Sequence, residues 1–418
     1  MNRIFVLLAM LFASAGSLAG QPTFGKATPL AVLIAEAEQN NPQVAAAESN
    51  WRAATHVSRQ VTTLPDPHFT VQELSVGSPK PFAGFSNSDF SYIGFGASQD
   101  LPYPGKRRLR GEVAEREADT RRKQVDSVRT LIVQQLKLDY FRVAYLQRTL
   151  QLLLDSGTVL DQLVTSATDR YRVGQGDQQE ILHAQLQRTR LRREIALHHQ
   201  EVGMVQVELK QLLHRSQLSP EIVAERLTPS AFNVDQEHVA ETLRDRNPAI
   251  AVANQFLQKQ SAEVELAKRE GRPDFNIGYQ YQRTGSQFRD YYVATFGIQL
   301  PRRSRQSERV AEVVAMQERA KQELDAELQS QLASAQNQLV IARTTAELLK
   351  VYKEGLIPQS EARFRAGLAG YQVNRQTFAA VLTSFTDTLT LQMEYEQTLA
   401  DHESAIARLE ALTGRSIR

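Results

Sequence analysis

The chain is written twice, and that duplication limits what it can fold into more than any other feature. Asn41-Pro42-Gln43-Val44 returns as Asn247-Pro248-Ala249-Ile250, and Leu64-Pro65-Asp66-Pro67-His68-Phe69 as Arg272-Pro273-Asp274-Phe275. Leu101-Pro102 returns as Leu300-Pro301, and Tyr171-Arg172-Val173-Gly174 as Phe364-Arg365-Ala366-Gly367. The offsets of 206, 208, 199 and 193 keep one order while loop lengths drift, which is the mark of a duplicated unit of about 200 residues. The first repeat spans 20–220, a connector containing Pro229 and Ser230 spans 221–235, and the second repeat spans 236–418.

Each repeat reads as a helix, a β-hairpin, one very long helix, a sharp turn and a return helix. Thr28-Pro29 fits an N-cap with proline at N1, and Asn41-Pro42 breaks and restarts the helix before Pro65. The clearer hairpin is the second, with strands at about 274–283 and 290–300: Phe275, Ile277, Tyr279 and Tyr281 alternate with Asn276, Gly278, Gln280 and Gln282. The first, about 68–76 and 90–101, is less regular, because Phe69 and Val71 change phase to Leu74 and Val76. Segments of about ten residues cross a bilayer when tilted. No proline falls between Gly105 and Ser219, so 107–171 supports a helix of 65 residues, roughly 98 Å at about 1.5 Å per residue. In the second half Leu324, Leu328, Leu332, Ala335, Leu339, Ala342, Ala346 and Leu349 form a coiled-coil seam, which Gly355 and Pro358 are expected to kink or interrupt.

The remaining composition narrows the setting. Asn2 and Arg3 lead into an apolar run from Ile4 to Ala13 and small residues ending near Ala19, the pattern of a secretory signal over residues 1–19. Forty-nine basic against 47 acidic residues argue against a broad nucleic-acid-binding surface, and the absence of cysteine removes disulfides, thiolate metal sites and a cysteine nucleophile. Four strands per chain are too few to close a barrel, and strands cannot leave open edges in lipid. Several chains must therefore share one: a homotrimer gives twelve strands, with Asn276, Gln280 and Gln282 lining the lumen. The expected fold class is mainly α with a membrane β-barrel, the long helices continuing its wall as a tube.

Signal, duplicated unit and two Arg-x-Gly turns together resemble the TolC-like outer-membrane efflux family over essentially the whole mature chain. Gln99-Asp100-Leu101-Pro102-Tyr103-Pro104-Gly105-Lys106 resembles the strand-to-helix junction of its heavy-metal branch. The resemblance implies a passive exit duct in the outer membrane with a periplasmic helical extension, for substrates such as heavy-metal cations. Its implied partners are a periplasmic adaptor, an inner-membrane resistance-nodulation-division pump and outer-membrane lipid. It places adaptor contact at Tyr171, Arg172, Val173 and Gly174 near one tip and Phe364, Arg365, Ala366 and Gly367 near the other. Simple turn chemistry is the competing reading of both. A periplasmic coiled-coil adaptor or scaffold is the alternative for the whole chain, but it leaves two aromatic hairpins unexplained.

Asp177 reads equally as part of an acidic ring at the pore entrance or as a carboxylate at a helix N-terminus. Glu180 and His183 have di-metal helix spacing without the further ligands such a site needs, and adjacent His198 and His199 point about 100° apart on a helix. Lys106-Arg107-Arg108-Leu109-Arg110 and Arg302-Arg303-Ser304-Arg305 read as interfacial basic residues. Gly94-Phe95-Gly96 reads as strand glycines. No catalytic triad, metal cluster or phosphate loop appears, so neither enzyme nor cofactor is expected.

Overall fold

The computed structural model describes residues 26–75, 91–233, 235–284 and 290–415. The first repeat runs α1 (Leu30–Asn40), α2 (Pro42–Thr62), β1 (His68–Leu74), β2 (Tyr92–Leu101), α3 (Lys106–Arg172) and α4 (Gln178–Leu212). The second runs α5 (Gln236–Arg246), α6 (Pro248–Glu270), β3 (Asp274–Thr284), β4 (Asp290–Gln299), α7 (Arg303–Val351), a π-turn (Tyr352–Leu356), α8 (Ile357–Gln372) and α9 (Phe378–Thr413). The expected signal, Val76 and Phe90 lie outside the described residues. One boundary shifts: Pro29 is the N-cap of α1 rather than its first helical residue, with extended backbone at φ −61° and ψ 139°.

The duplication extends to individual hydrogen bonds. Asn41 accepts from the Gln43 amide at 2.9 Å as N-cap of α2, while its Nδ2 donates to the Leu212 carbonyl at 2.9 Å. Asn247 accepts from the Ile250 amide at 3.0 Å as N-cap of α6, and its Nδ2 donates to the Leu412 carbonyl at 2.9 Å. A carboxamide carries both acceptor and donor, so one side chain starts a helix and holds the far end of the return helix. Both return helices then end in left-handed residues, His214 at φ 54° and Gly414 at φ 65°.

The 67 residues of α3 form the axis on which the other elements pack. Leu136, Tyr140, Val143 and Leu146 of α3 join Leu33 of α1, Val205 and Leu209 of α4 and Ile222 of the connector in one buried cluster. The connector crosses this cluster as an extended strap. Gln147 and Gln206 both donate to the Ile222 carbonyl, at 3.0 and 2.7 Å, and the Tyr140 hydroxyl accepts from the Glu225 amide at 2.8 Å. Buried backbone groups need such partners, and here side chains replace a sheet.

In α7 the expected seam is present: Ala335, Leu339, Ala342 and Leu349 are buried, with Leu324, Leu328 and Leu332 packed against the same cluster. The helix is not broken at Gly355 and Pro358. It takes up an extra residue as the π-turn and continues directly into α8, with Pro358 in the first turn after it.

The four strands form one antiparallel sheet in the order β1-β2-β3-β4. Its register sets Phe69 beside Ala97, Ala97 beside Tyr279 and Tyr279 beside Ala294, and one step along it aligns Val71, Phe95, Tyr281 and Tyr292. β1 keeps a single register to Leu74, so the expected phase change is absent: Leu74 falls on the polar face and Glu73 on the apolar one. Among the described residues, β1 and β4 each have a strand neighbour on one side only.

Candidate conduit: sheet, junction and helical tips

One sheet face is apolar and bare. Phe69 is 81% exposed, Phe296 67% and Leu300 74%, with Val71, Phe95, Ile277, Tyr279, Tyr292 and Ile298 exposed beside them. The rings are mutually ordered, Phe275 on Phe296 at 5.9 Å and Tyr281 against Tyr292 at 5.5 Å between centroids. Such a continuous apolar face is not tolerated in water but suits hydrocarbon flanked by aromatic residues. The opposite face is polar. Asn276 donates to Asp100 at 2.7 Å, and Gln280 donates to Gln72 across the sheet. The expected lumen residues Asn276, Gln280 and Gln282 all lie on this face.

Below the sheet, the structure corrects the reading of Lys106. It is 2% exposed, not interfacial: Nζ pairs with Asp274 at 2.8 Å and donates to the Arg272 carbonyl at 2.7 Å. Asp274 also accepts from the Tyr103 amide at 2.8 Å, and Arg269 donates to the Pro104 carbonyl at 3.2 Å while lying over the Tyr103 ring. Tyr103, Pro104 and Lys106 thus couple the two repeats where strand becomes helix. The alternation of the sheet predicts the strands but not this pairing. The repeated Pro-Asp of the hairpin start was the available signal, since it places Asp274 at a fixed joint.

At the far end, the first tip forms where expected. α3 ends at Arg172, Gly174 is left-handed at φ 74°, and the Gln175 amide donates to the Arg170 carbonyl at 2.8 Å, closing the helix end. Asp177 is the N-cap of α4 and accepts from the Gln179 amide at 3.2 Å. The second tip is displaced. Phe364, Arg365, Ala366 and Gly367 lie inside α8, and the reversal comes seven residues later, at Asn374 with φ 57°. Asn374 follows Tyr371-Gln372-Val373 as Gly174 follows Tyr171-Arg172-Val173, and the Arg375 amide donates to the Gly370 carbonyl at 2.8 Å in the same closure. Asparagine tolerates the left-handed region, so a glycine-based match found the wrong position.

Side chains fasten the two tips together. The Arg170 guanidinium sits 4.5 Å from the Tyr371 ring centroid, donates to the Tyr371 carbonyl at 3.2 Å, and also reaches Asn374. The Tyr371 hydroxyl donates to Glu180 at 2.8 Å. Burial, then the adjoining Glu180 carboxylate, pushes the Tyr371 phenol up to about 12, so it remains a donor at neutral pH. Glu180 therefore serves a tip-to-tip bond, and His183 is exposed beside it. His198 contacts the Glu194 carbonyl through Nδ1 at 3.1 Å. No group of metal-ligating side chains is assembled among the described residues.

The helices that continue the sheet stand in the order α2, α3, α6, α7, each packing on the next. A groove of about 790 Å³ is lined from all four, by Ala47 and Asn50, Gln124, Ala253 and Phe256, and Glu323. Because α2 and α7 stand at opposite ends of the row yet share one groove, the row is curved and the groove is its concave side. No helix among the described residues is long and apolar enough to cross a membrane.

Residues 33–214 match the family model described as outer membrane efflux protein. Comparison with curated protein sequences gives no match. Among solved structures, CusC is similar at 15% identity and a TM-score of 0.79, over 92% of both chains. The outer membrane protein VceC of Vibrio cholerae is similar at 17% identity and 0.78, over 93% of this chain and 97% of its own. The MtrE outer membrane channel of Neisseria gonorrhoeae, in its open state, is similar at 15% identity and 0.76, over 93% and 89%. Residues 33–214 are thus similar to the outer membrane efflux protein family, and the chain as a whole has the fold of these outer-membrane channels.

Proposed function

We propose that three copies of the chain close their sheets into one twelve-stranded barrel, continued by the helices as a tube, and serve as the outer-membrane exit duct of a tripartite efflux system. The observation that carries this is a sheet with one exposed apolar face and two open edges. β1 runs away from the helices and β4 returns toward them, so β4 of one copy set beside β1 of the next continues the antiparallel order. Closure removes every edge, which lipid requires. The helices repeat the theme: α4 exposes Leu182, Leu186, Leu197, Met204 and Val207, and α7 exposes Val340, Leu348 and Val351, apolar surface suited to neighbouring copies.

The reversals at Gly174 and Asn374, farthest from the sheet, are the surfaces offered to a periplasmic adaptor and through it to an inner-membrane pump. Asp177 stands there as a helix cap that also presents its exposed carboxylate to the entrance. Heavy-metal cargo rests on the likeness of Gln99–Lys106, of which Tyr103, Pro104 and Lys106 also make the joint between the repeats. Fractionation tests the duct against a periplasmic scaffold: the protein is expected to stay with outer membranes through a high-salt wash, and release into the wash would refute the duct.

A further inference from the structure

A cavity of about 850 Å³ lies where the sheet passes into the helices. Both α3 and α7 line it although α6 stands between them, so it too lies on the concave side of the helix row. Asp274 and Gln299, partners on the polar sheet face, line it together with Leu300 and Pro301 of the strand-to-helix turn. In the three-copy duct, on which this inference rests, that side is the passage.

The charges lining it do not balance. Lys106, Arg110, Arg302, Arg305 and Arg309 face Glu270, Asp274 and Glu308, five cations against three anions, leaving +2 from each chain. Internal pairing sharpens the excess. Asp274 is taken by Lys106 at 2.8 Å, Glu270 by Arg110 at 3.3 Å, and Arg309 pairs with Glu312 at 2.8 Å. Arg302 and Arg305 are exposed and form no side-chain hydrogen bond or ion pair among the described residues. Only Glu308 remains to oppose them.

The excess is local to this cavity: on the same polar face Asp100 keeps an exposed carboxylate that accepts from the neutral Asn276. At the tips, Asp177 caps α4 through one oxygen while its carboxylate stays exposed, and the second tip carries Arg375, Gln376 and Thr377 after its reversal, with no carboxylate. In the mid-tube groove Glu323 is engaged by Arg319 at 2.8 Å, Glu327 accepts from Gln331 at 2.7 Å, and Arg121 pairs with Glu117 at 2.8 Å.

We propose that Arg302 and Arg305 of the three copies form a cationic ring at the barrel floor that makes the duct prefer anions, and that its cargo carries a carboxylate, phosphate or sulfonate group. Rings of arginine or lysine select anions in pores, a cleft lined by one sign of charge concentrates the field, and the planar guanidinium matches oxyanions. Because both side chains are solvated, the ring attracts without retaining, as a conduit needs.

The test is the reversal potential of the purified full-length protein in a planar bilayer under a KCl gradient. Wild type is expected to pass chloride in preference to potassium. R302Q/R305Q is expected to lose that preference severalfold, R302K/R305K to keep it, and R303Q, outside the cavity, to leave it unchanged. The preference should shrink as salt rises, because screening shortens the reach of the ring. A conducting channel that prefers potassium, or whose chloride preference survives R302Q/R305Q, overturns the ring and leaves the duct standing. A correctly assembled protein that conducts nothing overturns the duct and the ring with it.

Discussion

Single residues at the joints carry more of this fold than their exposed neighbours do. Lys106 is buried but Asp274 is 31% exposed, so K106M leaves a partly solvated carboxylate and is expected to cost about 1–3 kcal/mol, with K106M/D274L recovering part of it. Denaturant midpoints of the two variants check this; equal loss in both would show that the pair does not hold the joint. Asp139 acts in the opposite sense. Its carboxyl is 4% exposed, Oδ1 accepts from Gln135 at 2.8 Å, and Oδ2 is buried without a partner. Burial, with the nearby Glu208 charge adding to it against Gln135 and Arg142, pushes its pKa from 3.8 to about 6. A carboxyl raised in the folded state stabilises most below its unfolded pKa, and that contribution is lost as pH rises through the folded pKa. D139N should therefore unfold like wild type near pH 4 and be more stable by about 1–2 kcal/mol at pH 7.5, allowing for partial solvent screening. Thermal unfolding at the two pH values checks it, and equal stability at pH 7.5 would contradict it.

At the scale of elements, periodicity made the strands and the long helices legible, because alternation and unbroken apolar spacing are local signals. The joints between them were not. Lys106 belongs to a basic run, and only the fold brings Asp274 of the other repeat beside it. The second tip was missed because Arg365-x-Gly367 imitates Arg172-x-Gly174, although its offset of 193 departs from the 199 of the preceding match. Tyr371-Gln372-Val373-Asn374 lies 200 residues after Tyr171 and was the better pair. Two substitutions separate the assignments. Gly174 is left-handed, and a Cβ there would meet nothing within 4 Å, so G174A should cost about 1–2 kcal/mol through the backbone alone. Gly367 is helical, and a Cβ there meets Ser384 and Val381 at ordinary contact distances of 3.7 and 4.0 Å, so G367A should stabilise by up to about 1 kcal/mol. Chemical denaturation reads both, and destabilisation by G367A would return the tip to that position.

For the whole molecule, the two repeats supply a curved row of helices beneath a sheet whose faces differ in polarity and whose edges are open. Neither half could bury its surfaces alone, and one chain cannot close the sheet. The expectation of a shared barrel came from strand count, which sequence reveals. The side on which charge gathers depends on curvature, which it does not. Three copies are needed to complete the wall. Native mass measurement of the detergent-extracted protein is expected to give a particle of three chains; a stable single chain that still forms pores would refute the shared barrel.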